Sequence, residues 1–257
     1  LWAAYNGEVY NYLELRQALA ARGEAFRTES DTEVMLSAFA VHGDDAPLHL
    51  NGMFAVLLYD EARRRLLLTR DRFGVKPLYY LHQGQVFAAA SEPKALLFVA
   101  RRLGIPIGVN DAALSCYLAD AGTEQEDRTF FDRVRRVQPG EQLALDLTRV
   151  DSAPARRFYY QLTPERCPPA DAPPERASVR DADAGARSPA DEAFLALFTD
   201  AIKLRFRSDV RVGTCLSGGL DSSALVCLAA ERLGLRPETF SAVYGANDPA
   251  DERRYMA

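Results

Sequence analysis

Two short stretches of this sequence carry residues of the kinds that do chemistry. The first, "YNGEVYN", spans residues 5–11 and places Asn6 and Gly7 between apolar neighbours. An Asn-Gly pair in that setting is a strong signal for a two-residue hairpin, because both residues tolerate the positive φ of a type I′ turn. The same pair can instead be half of a chemical site whose other half lies elsewhere. The local sequence leaves both interpretations open.

The second stretch, "SGGLDSS", places glycines, serines and a carboxylate between an apolar strand and an apolar helix. Glycines let the backbone approach a ligand closely, and a helix N-terminus offers unpaired N–H groups and the positive end of its dipole. The hydroxyls of Ser217, Ser222 and Ser223 can donate to phosphate oxygens, and Asp221 can help to hold a Mg²⁺ that bridges them. The alternative is an N-capped helix behind a tight Gly-Gly turn. The stretch matches neither the Walker pattern nor G-x-G-x-x-G.

The residues around the first stretch predict an α+β domain over residues 1–107. Helical spacing of apolar residues favours helices at 10–22 and 32–41, with Ser30 and Asp31 where an N-cap belongs. A short strand is expected near Phe26. Apolar runs separated by polar turns predict further strands, which we interpret as an antiparallel meander, at 52–59, 66–69, 78–81 and 86–90.

The remaining residues divide into three parts. Residues 108–162 are interpreted as a connecting region with a helix at 112–118 and a strand at 142–146. Residues 163–190 are rich in Pro, Ala, Asp and Arg and have almost no large apolar residue, so they predict a flexible linker. Residues 191–257 follow the order helix, strand, glycine loop, helix, strand, which is typical of a parallel sheet. Their elements are expected at 191–205, 210–216, 224–233 and 239–244.

Composition limits the classes of partner. The net charge is -5, and the sequence has no basic stripe with interleaved aromatic residues, which argues against nucleic acid. No apolar run approaches the roughly 20 residues of a membrane-spanning helix, and no signal segment opens the chain. We therefore expect no membrane and a cytoplasmic location. The four cysteines lack C-x-x-C spacing and are expected to be reduced.

Both stretches lie in sequence that resembles one family. "SDVRVGTCLSGGLDSSALV" is similar to the PP-loop of ATP pyrophosphatases, and within that group to the synthetase domain of glutamine-hydrolysing asparagine synthetases. "YNGEVYNYLELR", "SDTEVMLSAF", "LNGMFAVLLYD", "TRDRFGVKPLYY" and "SEPKALL" resemble successive blocks of the class II glutamine amidotransferase domain of the same enzymes. The resemblance implies a four-layer αββα (Ntn-type) amidotransferase domain, followed by the start of an α/β parallel-sheet PP-loop domain.

The resemblance assigns roles in the first domain to four residues. The family's oxyanion hole is formed by an Asn side chain and the next Gly N–H, which correspond to Asn6 and Gly7. Losing one such donor typically slows acyl transfer by about 10² to 10³. Glu8 and Asp31 match positions that bind the backbone end of glutamine, where a carboxylate suits an ammonium group. For Asp31, a helix N-cap is compatible with this role.

The resemblance also places ATP in the second domain. Its pyrophosphate is expected on the loop residues Ser217, Gly218, Gly219, Leu220, Asp221, Ser222 and Ser223. Its adenine is expected beside the two strands, at Cys215 or Leu216 and at Ala242 or Val243. The implied reaction hydrolyses glutamine, passes ammonia between domains, adenylates aspartate and forms asparagine. Glutamine, aspartate or another carboxylate, ATP and Mg²⁺ are thus the expected ligands, and a homodimer is included among the expected partners.

Several parts of the family pattern are missing, among them the later Lys and acidic residues that complete adenylation. The family's nucleophile is an N-terminal Cys that precedes the Asn-Gly-Glu block, and the chain begins at Leu1 without it. We interpret the chain as a fragment that has neither glutaminase nor synthetase activity by itself. A β-lactam synthetase-like protein, or an amidotransferase of a natural-product or polysaccharide pathway, is an alternative enzyme. A truncated product that serves as a scaffold or binding protein is the alternative outside enzymes.

Overall fold

The structure is a computed structural model that describes residues 1–120, 126–162 and 188–244. The chain divides into two units, Leu1–Pro164 and Glu165–Ala257. Most of the predicted linker lies outside the described residues. No helix among the described ranges is long and apolar enough to cross a bilayer.

Over the described residues, the first unit has five helices, a 3₁₀ turn (Gly43–Asp45) and eight strands. The helices are α1 (Tyr12–Ala20), α2 (Asp31–His42), α3 (Ala46–His49), α4 (Pro93–Arg102) and α5 (Asp111–Asp120). The strands are β1 (Trp2–Val9), β2 (Gly52–Asp60), β3 (Arg65–Arg70), β4 (Tyr79–Gln83), β5 (Val86–Ala90), β6 (Val134–Arg136), β7 (Glu141–Asp146) and β8 (Ala155–Phe158).

Two sheets and three apolar cores give this unit four layers. One sheet has the order β1-β2-β3-β7-β8 and the other β5-β4-β6. Residues of β1 to β3 that face outward pack with α1 and α2, as Phe54 and Val56 do. Their alternating neighbours, such as Ala55 and Leu68, pack against the second sheet, whose other face packs with α4. The predicted αββα architecture is confirmed.

In the first unit, the structure differs from several sequence expectations. Residues around Phe26 form no strand, because the Phe26 ring packs against the α1–α2 core under the guanidinium of Arg16. The expected meander is wrong, because β3 and β4 belong to different sheets. Residues 108–162 do more than connect, since β6, β7 and β8 complete the two sheets and the first unit extends past residue 107.

A rigid loop separates β3 from β4. The buried carboxylate of Asp71 accepts backbone N–H bonds from Phe54, Phe73, Val75 and Lys76 at 2.9–3.2 Å. The guanidinium of Arg70 donates to the carbonyl oxygens of Lys76, Val137 and Gly74 at 2.7–2.8 Å. Backbone groups that no strand pairs are satisfied in this way, so the chain can leave one sheet and enter the other.

We predict that Asp71→Asn lowers the free energy of unfolding by about 3 kcal/mol, because an amide at this buried position leaves two of the four N–H groups facing a donor. Denaturant unfolding of the 257-residue chain measures the effect. Asp151→Asn is the matched control at an exposed carboxylate, with an expected change within about 0.5 kcal/mol. Equal effects of the two substitutions would contradict the role of Asp71.

Two histidine rings stack where α2 ends. The rings of His42 and His49 lie 3.9 Å apart between centroids. Burial, followed by the charges of His49 and Arg22, lowers the pKa of His42. The folded state therefore resists protonation of His42 more than the unfolded state does, and its contribution to stability is lost as the pH falls below the unfolded pKa of about 6.5.

We predict that His42→Gln flattens the loss of stability between about pH 7 and pH 5, because this group then takes up no proton on unfolding. Denaturant midpoints of the parent chain and the variant at both pH values test this. An unchanged midpoint difference between the two pH values would show that His42 does not contribute to the pH dependence.

The second unit contains α6 (Pro189–Arg205), β9 (Gly213–Cys215), α7 (Leu220–Leu233) and β10 (Glu238–Phe240). β9 and β10 pair in parallel, in the register Gly213↔Glu238 to Cys215↔Phe240. Ser188 and Asp191 form a capping box at the start of α6. The parallel βαβ order expected from the sequence is present, although both strands are shorter than predicted.

Candidate active site

Asn6 and Gly7 lie inside β1 and form no turn. Asn6 pairs with Ala55 and Gly7 with Phe54 in the antiparallel ladder between β1 and β2. The hairpin interpretation is wrong, because the strand continues unbroken to Val9. A Cβ on Gly7 would lie 2.3 Å from the carbonyl oxygen of Met53. Glycine is therefore required by the close approach of the two strands.

One face of β1 is tied to the start of α2. The Tyr5 hydroxyl donates to Asp31 Oδ2 at 2.8 Å, and the backbone N–H of Val9 donates to the same oxygen at 3.0 Å. Burial and the negative charge of Asp31 raise the pKa of Tyr5 well above its usual value, so the phenol keeps its proton. Asp31 is not the N-cap, since Ser30 Oγ accepts the N–H of Thr32.

The other face of β1 borders a cavity between the two sheets. Asn6 is exposed, and its amide Nδ2 donates to Ser91 Oγ at 3.4 Å. The cavity has a volume of about 140 Å³. It is lined by small and apolar residues with few polar groups, namely Ala4, Tyr5, Asn6, Ala55, Leu57, Leu78, Ala89, Ala90 and Ser91. Sequence reasoning missed Ser91 as a neighbour of Asn6, because the two are 85 positions apart.

Glu8 is exposed on the same strand. Since side chains alternate along a strand, Glu8 shares the face of Asn6, whereas Asp31 meets β1 at its unpaired edge, where it accepts the N–H of Val9. The charge of Glu8 also contributes to the raised pKa of Tyr5. The structure therefore brings all four predicted amidotransferase residues around one strand.

Among the described residues of the first unit, Cys116 is the free cysteine, and it does not line this cavity. The residues around Asn6 offer hydrogen-bond donors and carboxylates to a reaction.

The glycine-serine loop joins β9 to α7. Gly218 has a φ of +83°, which favours glycine, and Gly219 occupies the N-cap position of α7. Ser222 Oγ donates to the carbonyl oxygen of Gly219 and accepts the N–H of Ser217, both at 3.2 Å. The hydroxyls of Ser217 and Ser222 are 3.1 Å apart. The hydroxyl groups of the predicted loop therefore form hydrogen bonds with each other and with the loop backbone.

The structure starts α7 earlier than the sequence predicts. The helix begins at Leu220 rather than Ala224, so Asp221, Ser222 and Ser223 lie in its first turn. Asp221 is exposed there. Within the described ranges, no group of three or more His, Cys, Asp or Glu side chains could hold a metal ion by itself. A cation at Asp221 would need further ligands, such as phosphate oxygens.

The predicted adenine positions lie at the ends of the two parallel strands. Cys215 ends β9, and the N–H of Leu216 donates to the carbonyl oxygen of Phe240 at 2.9 Å. Ala242 and Val243 follow β10 and are exposed. Carboxyl ends of parallel strands form the usual ligand-binding edge of an open sheet. The structure places these residues on the same edge as the glycine-serine loop.

Residues 1–159 match the family described as "Glutamine amidotransferase domain". The chain belongs to this family. Residues 193–257 match the family described as "Asparagine synthase". The predicted resemblance to the glutamine-hydrolysing asparagine synthetases is thereby confirmed, with the amidotransferase family on the unit that contains Asn6 and the synthase family on the unit that contains the glycine-serine loop.

Individual relatives match most of the length of this chain. Asparagine synthetase [glutamine-hydrolyzing] 1 of Bacillus subtilis is 34% identical over 97% of this chain and 37% of its own length. Amidase chyE of Penicillium rubens is 30% identical over 89% of the chain and 30% of its own length. The structure of glutamine phosphoribosylpyrophosphate amidotransferase from B. subtilis has a TM-score of 0.45 and 19% identity, over 92% of this chain and 45% of that one. The chain spans about a third of the two curated relatives.

We predict that Gly7→Ala lowers the free energy of unfolding by about 2–3 kcal/mol, because the added methyl group has to displace the backbone of β2. Gly84→Ala is the matched control. Unlike Gly7, Gly84 has a positive φ, and nothing lies within 4 Å of an added Cβ there, so only the backbone strain of about 1 kcal/mol is expected. Thermal and denaturant unfolding compare the two, and an equal or smaller loss at Gly7 would contradict the steric argument.

Proposed function

We propose that this chain acts in the glutamine-dependent, ATP-consuming amidation of a carboxylate, with aspartate as the acceptor and asparagine as the product. The observation that carries the proposal is the amide of Asn6 at the mouth of the cavity between the sheets, in a chain of the glutamine amidotransferase family. The name of the B. subtilis relative supports the choice of acceptor.

In the proposed glutaminase reaction, a thiolate attacks the side-chain carbonyl of glutamine. The amide N–H of Asn6 and the backbone N–H of Gly7 donate to the oxyanion that forms. Glu8 and Asp31 attract the ammonium group of the substrate by their charges. One oxygen of Asp31 already accepts two hydrogen bonds, so Asp31 attracts the ammonium group through its charge. Glu8 is the more exposed of the two carboxylates.

In the proposed synthetase reaction, the glycine-serine loop binds the pyrophosphate part of ATP. The hydroxyls of Ser217, Ser222 and Ser223, the backbone of the loop from Gly218 to Leu220, and the positive end of the α7 dipole all suit a polyanion. Mg²⁺, held by Asp221 and phosphate oxygens, would neutralise phosphate charge. The adenine would lie beside the strand ends, at Cys215 or Leu216 and at Ala242 or Val243.

A second candidate function is the amidation of a carboxylate other than aspartate, and the similarity to a protein named amidase rather than asparagine synthetase supports it. Both candidates use the same two sites and differ only in the acceptor. Asparagine formation from aspartate, compared with amide formation on a panel of other carboxylates, separates them. The homodimer and the cytoplasmic location expected from the sequence stay predictions.

The test uses the protein expressed from its complete open reading frame. We expect glutamate, AMP, pyrophosphate and asparagine from glutamine, ATP and aspartate. Asn6→Ala should lower the glutamine-dependent rate by about 10² to 10³ and leave the rate with free ammonia unchanged, whereas Ser217→Ala should lower both. The 257-residue chain alone is expected to hydrolyse no glutamine.

The outcomes separate the parts of the proposal. Glutamine hydrolysis that Asn6→Ala leaves unchanged would contradict the proposed oxyanion site. ATP turnover that releases ADP instead of AMP would contradict the proposed adenylation, while the amidotransferase assignment would stand.

A further inference from the structure

The amide of Asn6 reaches from one sheet of the amidotransferase unit to the other. Asn6 lies on β1 in the five-stranded sheet, and Ser91 directly follows β5 in the three-stranded sheet. The hydrogen bond from Asn6 Nδ2 to Ser91 Oγ measures 3.4 Å and crosses the edge of the cavity that both residues line. The Asn6 amide therefore has a hydrogen-bond partner beside the second sheet.

Ser91 occupies a well-fixed point of the backbone. The last residue of β5, Ala90, pairs with Tyr79 of β4. Two residues after Ser91, Pro93 begins α4, and proline at that position is pre-organised for a helix. Leu96 and Ala100 of α4 are completely buried against the sheet. A serine between a paired strand and a packed helix can hold a partner in place.

Asn6 needs such a partner because its side chain is exposed. The terminal torsion of an asparagine amide has broad energy wells, so the amide rotates easily when nothing holds it. When Ser91 Oγ accepts one N–H of the amide, the second N–H remains available to another acceptor. The small side chains of Ala89 and Ala90 leave space beside the amide.

We propose that Ser91 is a positioning residue that orients the Asn6 amide for binding the oxyanion. This inference rests on the proposed function. An oxyanion exists only in the transition state and intermediate, so a misplaced donor slows the chemical step without weakening the binding of glutamine. Ser91 itself has no contact with the reacting atoms in this scheme.

The kinetic test uses the protein from the complete open reading frame. Ser91→Ala should lower kcat for glutamine hydrolysis by roughly tenfold, with KM for glutamine within about twofold of the parent. Ser91→Thr, which keeps the hydroxyl, should restore most of kcat. In the Asn6→Ala background, Ser91→Ala should have almost no further effect, because the residue acts through the amide that is already missing.

A second measurement needs no activity. In the 257-residue chain, NMR follows the side-chain amide protons of Asn6, which should exchange faster with solvent in Ser91→Ala and return towards the parent rate in Ser91→Thr. The amide of Asn110, which donates to the carbonyl oxygen of Thr129 at 3.0 Å, is the internal reference. Its protons should be unaffected.

Specific results would overturn the inference. Unchanged Asn6 amide exchange in Ser91→Ala, or full additivity of the two alanine substitutions in kcat, would show that Ser91 does not orient the amide. A loss confined to KM would make Ser91 a substrate-binding residue. If the parent protein hydrolyses no glutamine, the proposed function fails, and altered Asn6 exchange would then establish a structural contact only.

Discussion

The carboxylate of Asp31 connects β1 to the start of α2. It accepts the Tyr5 hydroxyl and, at the unpaired edge of β1, the Val9 N–H. Since side chains alternate along a strand, Asn6 points to the face opposite Tyr5, where it donates to Ser91 beside the second sheet. A shift of one residue in the pairing with β2 would exchange the two faces. The cavity and the donor at its edge both depend on this register.

The same alternation explains which parts of the fold can be read from the sequence. The apolar runs that became β2, β3, β5 and β7 are local features, and their positions were predicted to within a residue or two. The sheet to which each strand belongs was not predicted. Leu68 on β3 pairs with Leu143 on β7, and no local pattern records a pairing of such sequence separation. The hydrogen bonds of Arg70 and Asp71 in the loop between β3 and β4 likewise depend on the tertiary structure.

The site shows the same division between local and tertiary information. Residue type and family resemblance were enough to select Asn6, Gly7, Glu8 and Asp31. Local turn statistics were misleading for Asn6 and Gly7. The two residues are extended because they pair with β2, an apolar strand that runs alongside them. Ser91 was not recognisable, since a serine before a helix most often serves as a cap, and only the stacking of the two sheets brings it to Asn6.

The glycine-serine loop adds a physical condition on the second site. Ser217 and Ser222 bond to each other and to the backbone of the loop, so a phosphate has to replace hydrogen bonds that already exist. Replacing one hydrogen bond of a hydroxyl group by another changes the free energy of binding little by itself. The net attraction for a phosphate must therefore come from groups other than these hydroxyls. They are the positive end of the α7 dipole and the N–H groups of the first turn of α7. A charged phosphate benefits from both, whereas a neutral ligand of the same shape does not, and this difference is consistent with the proposal that the loop binds a nucleotide.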